Sequence, residues 1–400
     1  MPAAAPRILK QLVRRYDPSV FELGRSSARI RLQGAGEDPS DVLLDGRTAT
    51  LEASGRARPD AVLSADPDTW RQIAQDLRGG MLAYQSGRLR VRRDLHLGVG
   101  FLAATAGTGE GGLRLRHVGT TEGPLSVAEA GTGDPVLLMH GLGATKVSFL
   151  PTLAALAGGF HMIAVDLPGF GDSVKPLRAA YDPAYFARAM VALLDARKIE
   201  RAHLIGNSMG GRVAIEVGLR YPERVGRIGL LAPSLAWLRD RPWAPVLRLV
   251  APQLGLIQPA PRFVVERIVH RVVPGATEEW TAAGIDEFLR AYLTPRGRAA
   301  FYAAARSIYL EEPRGPRGLW TRLPELQPES LFVWGRQDPL VPIRFERHVR
   351  EALPSAQQLE LNCGHVPQLE RPRQTHAALD RFFHGQPLTG RRPRAAAQRA

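Results

Sequence analysis

The sequence predicts an α/β fold in which a mostly parallel sheet carries helices on both faces and a helical cap, preceded by a small α+β unit. After residue 112, short apolar runs such as "PVLLMH", "HMIAVD" and "SLFVWG" alternate with helical segments. Before residue 105, segments such as "ARIRLQG" alternate apolar with polar residues, as half-buried strands do. The Gly-rich stretch "TAGTGEGG" at 105–112 separates the two patterns, so we expect a linker there.

Composition bounds the class of protein. The 400 residues are 44% apolar and 23% charged, which is typical of a globular chain with more than one folding unit. The net charge of +14 comes mostly from arginines scattered among acids. No zinc-finger, RNA-binding or helix-turn-helix motif accompanies them, so we expect no nucleic-acid partner.

The number of cysteines and the length of the apolar runs indicate the cellular compartment in which the protein is expected. Cys363 is the single cysteine, which excludes a disulfide framework and a thiolate metal cluster and suits a reducing compartment. The first residues lack the apolar core of a signal peptide, and no apolar run is long enough to span a bilayer. We therefore expect a cytoplasmic protein. No metal, nucleotide or flavin motif is present, so we expect no cofactor.

The first predicted unit covers residues 1–110. Its strands are "ARIRLQG", "DVLLDGRTATLEA" and "LRVRRDLHLGVG", which alternate at period two. Between the last two, a helix opens with "DP" and ends at "GG" in "DPDTWRQIAQDLRGGMLAYQSG", as helix boundaries do. The pattern indicates a small α+β unit.

The second predicted unit covers residues 111–385. Strands that are apolar on both faces, separated by helical segments such as "PAYFARAMVALLDARKI", indicate a parallel sheet covered by helices. Between about 235 and 322 the chain turns to amphipathic segments such as "RFVVERIVHRVV" and "IDEFLRAYL", which predict a helical cap. Residues 386–400 are basic and contain no acid, so we expect a disordered tail.

A serine stands where a buried strand becomes a helix. "HLIG" reads as the strand and "GGRVAIEVGL" as the helix, and Ser208 lies between Gly206 and Gly210 in the pattern G-x-S-x-G. A sharp turn there lifts the hydroxyl above the carboxyl edge of the sheet, and only glycine fits at the flanking positions. Ser208 is therefore a candidate nucleophile.

A serine hydroxyl needs a base and an orienting acid. The strand "LFVWG" is followed by Asp338, and Pro339 biases Asp338 away from helix. The strand "LELN" is followed by His365. Both residues are expected at the carboxyl edge of the sheet, beside Ser208, and complete a catalytic triad.

The loop after the strand "VLLM" supplies an oxyanion hole. The oxyanion loop, residues 140–143, contains two glycines and can turn backbone N–H groups toward the serine. We expect the amides of Leu142 and Met209 to be the donors, and His140, Gly141 and Gly143 to support the loop. Asp166 and Asp172 are expected to shape a neighbouring loop, and Cys363 to be a small buried side chain.

Five motifs in order now carry a family resemblance. Residues 117–385 resemble the α/β-hydrolase superfamily through "MHGLG", "VDLPGFGDS", "GNSMGG", "WGRQDPLVP" and "CGHVPQLERP". The resemblance implies the triad and a mobile cap over an acyl pocket. We expect a serine hydrolase that cleaves a small-molecule carboxylic ester or thioester with an apolar acyl group, through an acyl-enzyme. The apolar cap residues expected to enclose that group are Leu235, Trp237, Trp243, Phe263 and Phe288.

The first unit resembles another family. Residues 17–105, with the "GRLRVRRDL" strand leading into a final helix, are similar to the sterol carrier protein type 2 (SCP2) family. That resemblance implies a sheet covered by helices and an apolar lipid tunnel. Met81, Leu82 and Phe101 are candidates for its lining, with a solid core as the alternative.

Several other functions stay open. C–C bond hydrolases of ring-fission diketones share "GNSMGG" but usually carry Trp after the catalytic histidine, where this chain has Val366. A perhydrolase would keep the same triad, whereas epoxide hydrolases and haloalkane dehalogenases would place Asp at 208. A non-catalytic lipid carrier would retain the fold alone. A peripheral membrane protein would dock weakly through the arginine-rich cap and tail.

Overall fold

The part of the chain that the structure describes builds two β-sheets, one of five strands and one of eight. The computed structural model describes residues 7–34, 38–75, 83–84, 86–106, 112–236, 249, 251–257, 261, 263–264, 267, 271 and 278–388. No helix in these ranges is long and apolar enough to cross a bilayer.

The five-stranded sheet forms the N-terminal unit, residues 7–106. Its strands are β1 (Ala28–Gln33), β2 (Ser40–Leu44), β3 (Ala49–Ala53), β4 (Ala61–Ser64) and β5 (Arg90–Arg92), in the order β3-β2-β1-β4-β5. Only β1 and β4 pair in parallel. The helices are α1 (Arg7–Arg14), α2 (Pro67–Gln75) and α3 (Leu95–Thr105). Alternating burial along β1 confirms the period-two prediction.

The segment "LRVRRDLHLGVG" corrects one strand prediction. Strand β5 ends at Arg92, and helix α3 begins at Leu95. The Asp94 carboxylate accepts a hydrogen bond from the N–H of Leu97 at 2.8 Å, which caps the helix. Every residue of α3 is buried, so the helix shows no polar face that its sequence could reveal.

The eight-stranded sheet begins the second unit. Its strands are β6 (Arg114–Val118), β7 (Leu125–Ala130), β8 (Asp134–Met139), β9 (Phe160–Val165), β10 (Ala202–Asn207), β11 (Val225–Leu231), β12 (Ser330–Gly335) and β13 (Gln357–Leu361). Their order is β13-β12-β11-β10-β8-β9-β7-β6. Strands β8 to β13 pair in parallel, as predicted, while β7 pairs antiparallel with both β6 and β9.

Helices cover this sheet or lie between β11 and β12 in the chain. They are α4 (Leu150–Leu156), α5 (Pro183–Ala196), α6 (Met209–Arg220), α7 (Glu278–Tyr292), α8 (Pro295–Tyr309), α9 (Leu319–Arg322), α10 (Glu346–Ala352), α11 (Pro367–Glu370) and α12 (Pro372–Phe383). Short 3₁₀ turns occupy Lys146–Phe149, Pro222–Arg224, Pro252–Leu256, Leu323–Glu325 and Ile343–Phe345. Helices α7, α8 and α9 lie between β11 and β12, within the segment predicted as a helical cap.

One apolar core runs through both units. A single cluster of buried side chains includes Trp70 and Phe101 of the N-terminal unit together with Phe160 and Leu379 of the second. Residue Phe21 also bridges in parallel to Leu115 of β6. The N-terminal unit is therefore packed onto the β6 edge of the large sheet.

Candidate active site

Ser208 occupies a strained turn between β10 and α6. Its backbone has φ +53° and ψ −114°, a conformation that costs about 1–3 kcal/mol for a residue with a side chain. The turn is held from both sides, since the N–H of Ser208 donates to Leu231 and its carbonyl accepts from Ser234, at 3.0 and 2.8 Å. This confirms the strand-to-helix turn predicted from the sequence.

The flanking glycines leave no room for a side chain. A Cβ on Gly206 would lie 2.3 Å from the carbonyl oxygen of Gly210. A Cβ on Gly210 would lie 2.0 Å from the carbonyl oxygen of Met139. Real Cβ contacts are never that short, so glycine is required at both positions.

His365 and Asp338 form a buried pair. The Nδ1–H of His365 donates to Oδ2 of Asp338 at 2.7 Å, and the residues are 5% and 6% exposed. Oδ1 of Asp338 accepts from the N–H groups of Leu340 and Val341 at 2.8 and 2.9 Å. A carboxylate only accepts, so Nδ1 carries the hydrogen in this pair; in the neutral imidazole Nε2 is then the acceptor nitrogen, which can act as a base.

Two residues that the sequence analysis missed hold the base loop, residues 363–366. Asn207 Nδ2–H groups donate to the carbonyls of Leu231 and His365 at 3.0 and 3.1 Å. The Glu370 carboxylate accepts from the N–H groups of Gly364 and Val366 at 2.7 and 3.0 Å. The one sign of this role in the sequence is that Glu370 lies only five residues after His365 in "CGHVPQLE".

The oxyanion loop lies against the nucleophile. A Cβ on Gly141 would be 3.3 Å from Cβ of Ser208. The Gly141 carbonyl accepts from Nδ1–H of His140 at 2.8 Å and from the Ala144 N–H at 3.0 Å. Because carbonyl and N–H point to opposite sides of a trans peptide, the N–H of Leu142 is directed away from these partners.

His140 braces this loop as a neutral imidazole. It is 0% exposed, and burial lowers its pKa. Its Nε2 accepts from the N–H of Leu167 at 3.0 Å, so His140 ties the oxyanion loop to the loop after β9. Met209 begins helix α6, and a first-turn N–H has no partner within its own helix.

Asp166 and Asp172 shape the loop after β9, as expected. Asp166 is 0% exposed and accepts from the Lys146 ammonium and backbone N–H at 2.6 and 2.7 Å, and from the Asp172 N–H at 2.9 Å. Burial alone would raise the pKa of Asp166, but the Lys146 charge outweighs it and lowers that pKa. Cys363 is buried, which raises the pKa of its thiol to about 12.

The predicted pocket residues have different locations. Leu235 is 2% exposed in the apolar core that also contains Met209. Phe288 of α7 covers the oxyanion loop, since a Cβ on Gly143 would lie 2.6 Å from its ring. Phe263 is 70% exposed, so its side chain does not enclose a ligand here.

Five further predictions concern apolar side chains. Trp237, Trp243, Met81 and Leu82 lie outside the described residues. Phe101 is 0% exposed within the shared apolar core, a position compatible with a packed interior and with a tunnel wall.

Comparisons with known proteins agree with this fold. A family model described as alpha/beta hydrolase fold matches residues 134–372. The chain is 29% identical to the 2-hydroxy-6-oxo-6-phenylhexa-2,4-dienoate hydrolase of Comamonas testosteroni, over 61% of this chain and 85% of that protein. It is 25% identical to Lipase 3 of a Moraxella species, over 64% and 78%. Among solved structures, a membrane phospholipase A described as a bacterial virulence factor is similar at 27% identity and TM-score 0.58, covering 68% of this chain and 86% of that one.

Proposed function

Because the chain belongs to the alpha/beta hydrolase family, we propose that it is a serine hydrolase that cleaves a carboxylic ester or thioester. The Ser208 oxygen attacks the acyl carbon while Nε2 of His365 takes its proton. The N–H groups of Leu142 and Met209 stabilise the oxyanion. The imidazolium then protonates the leaving alcohol or thiol, and an acyl-enzyme remains. Water, deprotonated by His365, releases the acid and restores Ser208.

The proposal depends on one observation above the others. His365 Nδ1 and Asp338 Oδ2 are 2.7 Å apart and buried, on the loops that follow β12 and β13. Asn207, the residue directly before Ser208, donates to the carbonyl of His365 at 3.1 Å. The base loop is thereby bonded to the turn that carries the proposed nucleophile.

A fluorophosphonate probe tests this chemistry, because it phosphonylates an activated serine and no ordinary one. We expect wild-type protein to be labelled at Ser208 and to hydrolyse p-nitrophenyl esters, and Ser208→Ala to do neither. Ser234→Ala is the matched control, since Ser234 is a buried serine beside the same turn. Folded wild-type protein that resists the probe would contradict the proposal and favour a non-catalytic lipid carrier.

An apolar acyl group is the proposed substrate feature. Phe288, stacked on Tyr292 with ring centroids 4.9 Å apart, lies over the oxyanion loop and offers an aromatic wall. Relatives named as a lipase and a phospholipase support the same class. Rates on p-nitrophenyl esters of rising acyl length measure this preference, and equal rates at all lengths would contradict it.

We also propose that the N-terminal unit binds lipid in the manner of the SCP2 family it resembles. Its sheet packed with helices supports the proposal. Fluorescent fatty-acid binding by wild-type protein, measured before and after Ser208 is labelled with a fluorophosphonate, tests it, because binding that survives the labelling indicates a second site.

A C–C bond hydrolase is the second candidate, favoured by the likeness to the Comamonas enzyme. Its substrates are vinylogous diketones, whose cleavage is followed by their visible absorbance. Turnover of such a diketone faster than of every ester in the series would replace the ester proposal.

A further inference from the structure

Asp286 attaches helix α7 to the N-terminal unit. Asp286 Oδ2 accepts from Arg92 Nε at 2.8 Å and from the backbone N–H of Arg93 at 2.9 Å. Arg93 has φ +77°, a strained backbone that directs its N–H toward the helix. Asp286 is 7% exposed, so the carboxylate side of this contact is largely shielded from water.

The neighbouring residues of α7 face the proposed catalytic machinery. Arg290 binds Asp172 with two nitrogens, at 2.8 and 3.0 Å. Glu287 accepts from the Thr145 hydroxyl, just beyond the oxyanion loop, at 3.2 Å. Phe288 lies over Gly143. A single helix therefore contacts the N-terminal unit, the oxyanion loop and the loop after β9.

Arg290 also contacts carboxylates of both units. Its Nε is 3.6 Å from Oδ1 of Asp94, the cap of helix α3 in the N-terminal unit. The Asp94 carboxylate is paired with Arg25 at 3.1 Å. Charge partners from both units thus surround the Arg290 guanidinium, whose planar fork suits bridging of carboxylates.

The N-terminal unit is itself fixed to the large sheet. The N–H of Leu115 donates to the Val20 carbonyl at 2.8 Å, and the N–H of Glu22 donates to the Leu115 carbonyl at 3.0 Å. The two units also share one apolar core. A unit that is anchored at the sheet edge can hold α7 in place, as a loose appendage could not.

We propose that the N-terminal unit clamps helix α7 over the oxyanion loop, and that Arg92, Asp286 and Arg290 are positioning residues for the acyl pocket. This rests on the proposed serine hydrolase function. The cap helix that places Phe288 over the oxyanion loop is then held by the other unit, in contrast to the mobile cap that the family resemblance implies. Specificity for long acyl chains depends on contacts made far from the triad.

The test compares Arg92→Gln and Asp286→Asn with wild type, all in the full chain. Arg29→Gln is the matched control, because Arg29 pairs with a buried aspartate, Asp41, inside the N-terminal unit. Each protein is assayed on p-nitrophenyl acetate and p-nitrophenyl laurate and labelled with a fluorophosphonate. Amide hydrogen exchange is measured over residues 282–292.

Loosening α7 removes the aromatic wall above the oxyanion loop and leaves the triad intact. We expect kcat/KM for laurate to fall roughly fivefold or more and that for acetate to stay within about twofold. Exchange over 282–292 should accelerate in both variants and not in Arg29→Gln. Arg92 has a side chain that is 39% exposed, so Arg92→Gln decides the matter if Asp286→Asn does not fold.

An unchanged laurate-to-acetate ratio in folded Arg92→Gln overturns the clamp, as does an equal loss on both esters. Unchanged exchange over 282–292 also overturns it. Wild-type protein without labelling or turnover would instead refute the hydrolase proposal, and the exchange measurement would then test the clamp by itself.

Discussion

His365 is held from three directions by residues of different kinds. Asp338 accepts from its ring, Asn207 donates to its carbonyl, and Glu370 accepts from the N–H groups on either side of it. Together these contacts fix the ring, the carbonyl and the flanking N–H groups of the base loop. Precise placement of a base matters because small displacements cost large factors in rate.

Glu370 gives the sharpest test at this scale. A Glu370→Gln amide keeps one acceptor oxygen, but its NH₂ must face the second N–H donor. We expect the free energy of unfolding to fall by about 1–3 kcal/mol and kcat to fall roughly tenfold, with KM nearly unchanged. Urea unfolding and steady-state kinetics on p-nitrophenyl butyrate measure the two effects.

The control is Glu351→Gln, which makes the same change at a side chain that is 75% exposed. It should leave both quantities at wild-type values. If Glu370→Gln lowers stability without lowering kcat, Glu370 supports the fold and does not position the base.

At the scale of elements, the turn between β10 and α6 depends on close backbone contact. Gly210 lies so near the end of β8 that a methyl group would overlap the Met139 carbonyl, whereas a Cβ on Gly284 of α7 would have no neighbour within 4 Å. Gly284 is exposed. The two glycines are therefore opposite in their tolerance of a side chain.

Gly210→Ala and Gly284→Ala form a matched pair of substitutions. We expect Gly210→Ala to lose about 3 kcal/mol or more of stability through overlap. Gly284→Ala should gain roughly 0.5–1 kcal/mol, because alanine is the better helix former. Thermal unfolding should show midpoints shifted in opposite directions. A Gly210→Ala midpoint at or above that of wild type would contradict the crowding at the turn.

The same elements show which features of the fold could be predicted from the sequence. Strands β8 to β12 and the turn at Ser208 were predictable, because apolar runs and glycine spacing are local patterns. The Arg290–Asp172 pair joins residues 118 apart, and the Arg92–Asp286 pair joins residues 194 apart. No local pattern encodes such pairs, since they depend on how two units dock. Helix α3 was mistaken in part for a strand because burial on every side hides the helical period.

At the scale of the whole molecule, the two sheets depend on a common interior. Phe21 is 1% exposed and bridges to Leu115 at the sheet edge. A Cβ on Gly100 would lie only 2.3 Å from the Phe21 ring. The same ring meets the His96 ring edge-on, with the ring centroids 5.4 Å apart. Phe21 thus connects helix α3 of the N-terminal unit with strand β6 of the large sheet.

Phe21→Ala tests whether the units unfold together. Removing a buried phenylalanine costs about 3–5 kcal/mol, and a core shared by both units transmits that loss to each of them. We expect calorimetry to show a single endotherm for wild type and one for Phe21→Ala at a lower temperature. Trp70 and Trp334 lie in different units and are both 0% exposed, so tryptophan fluorescence should follow the same transition. Two endotherms, of which only the first moves, would show that the N-terminal unit unfolds independently, and a clamp on α7 would then be lost well before the large sheet melts.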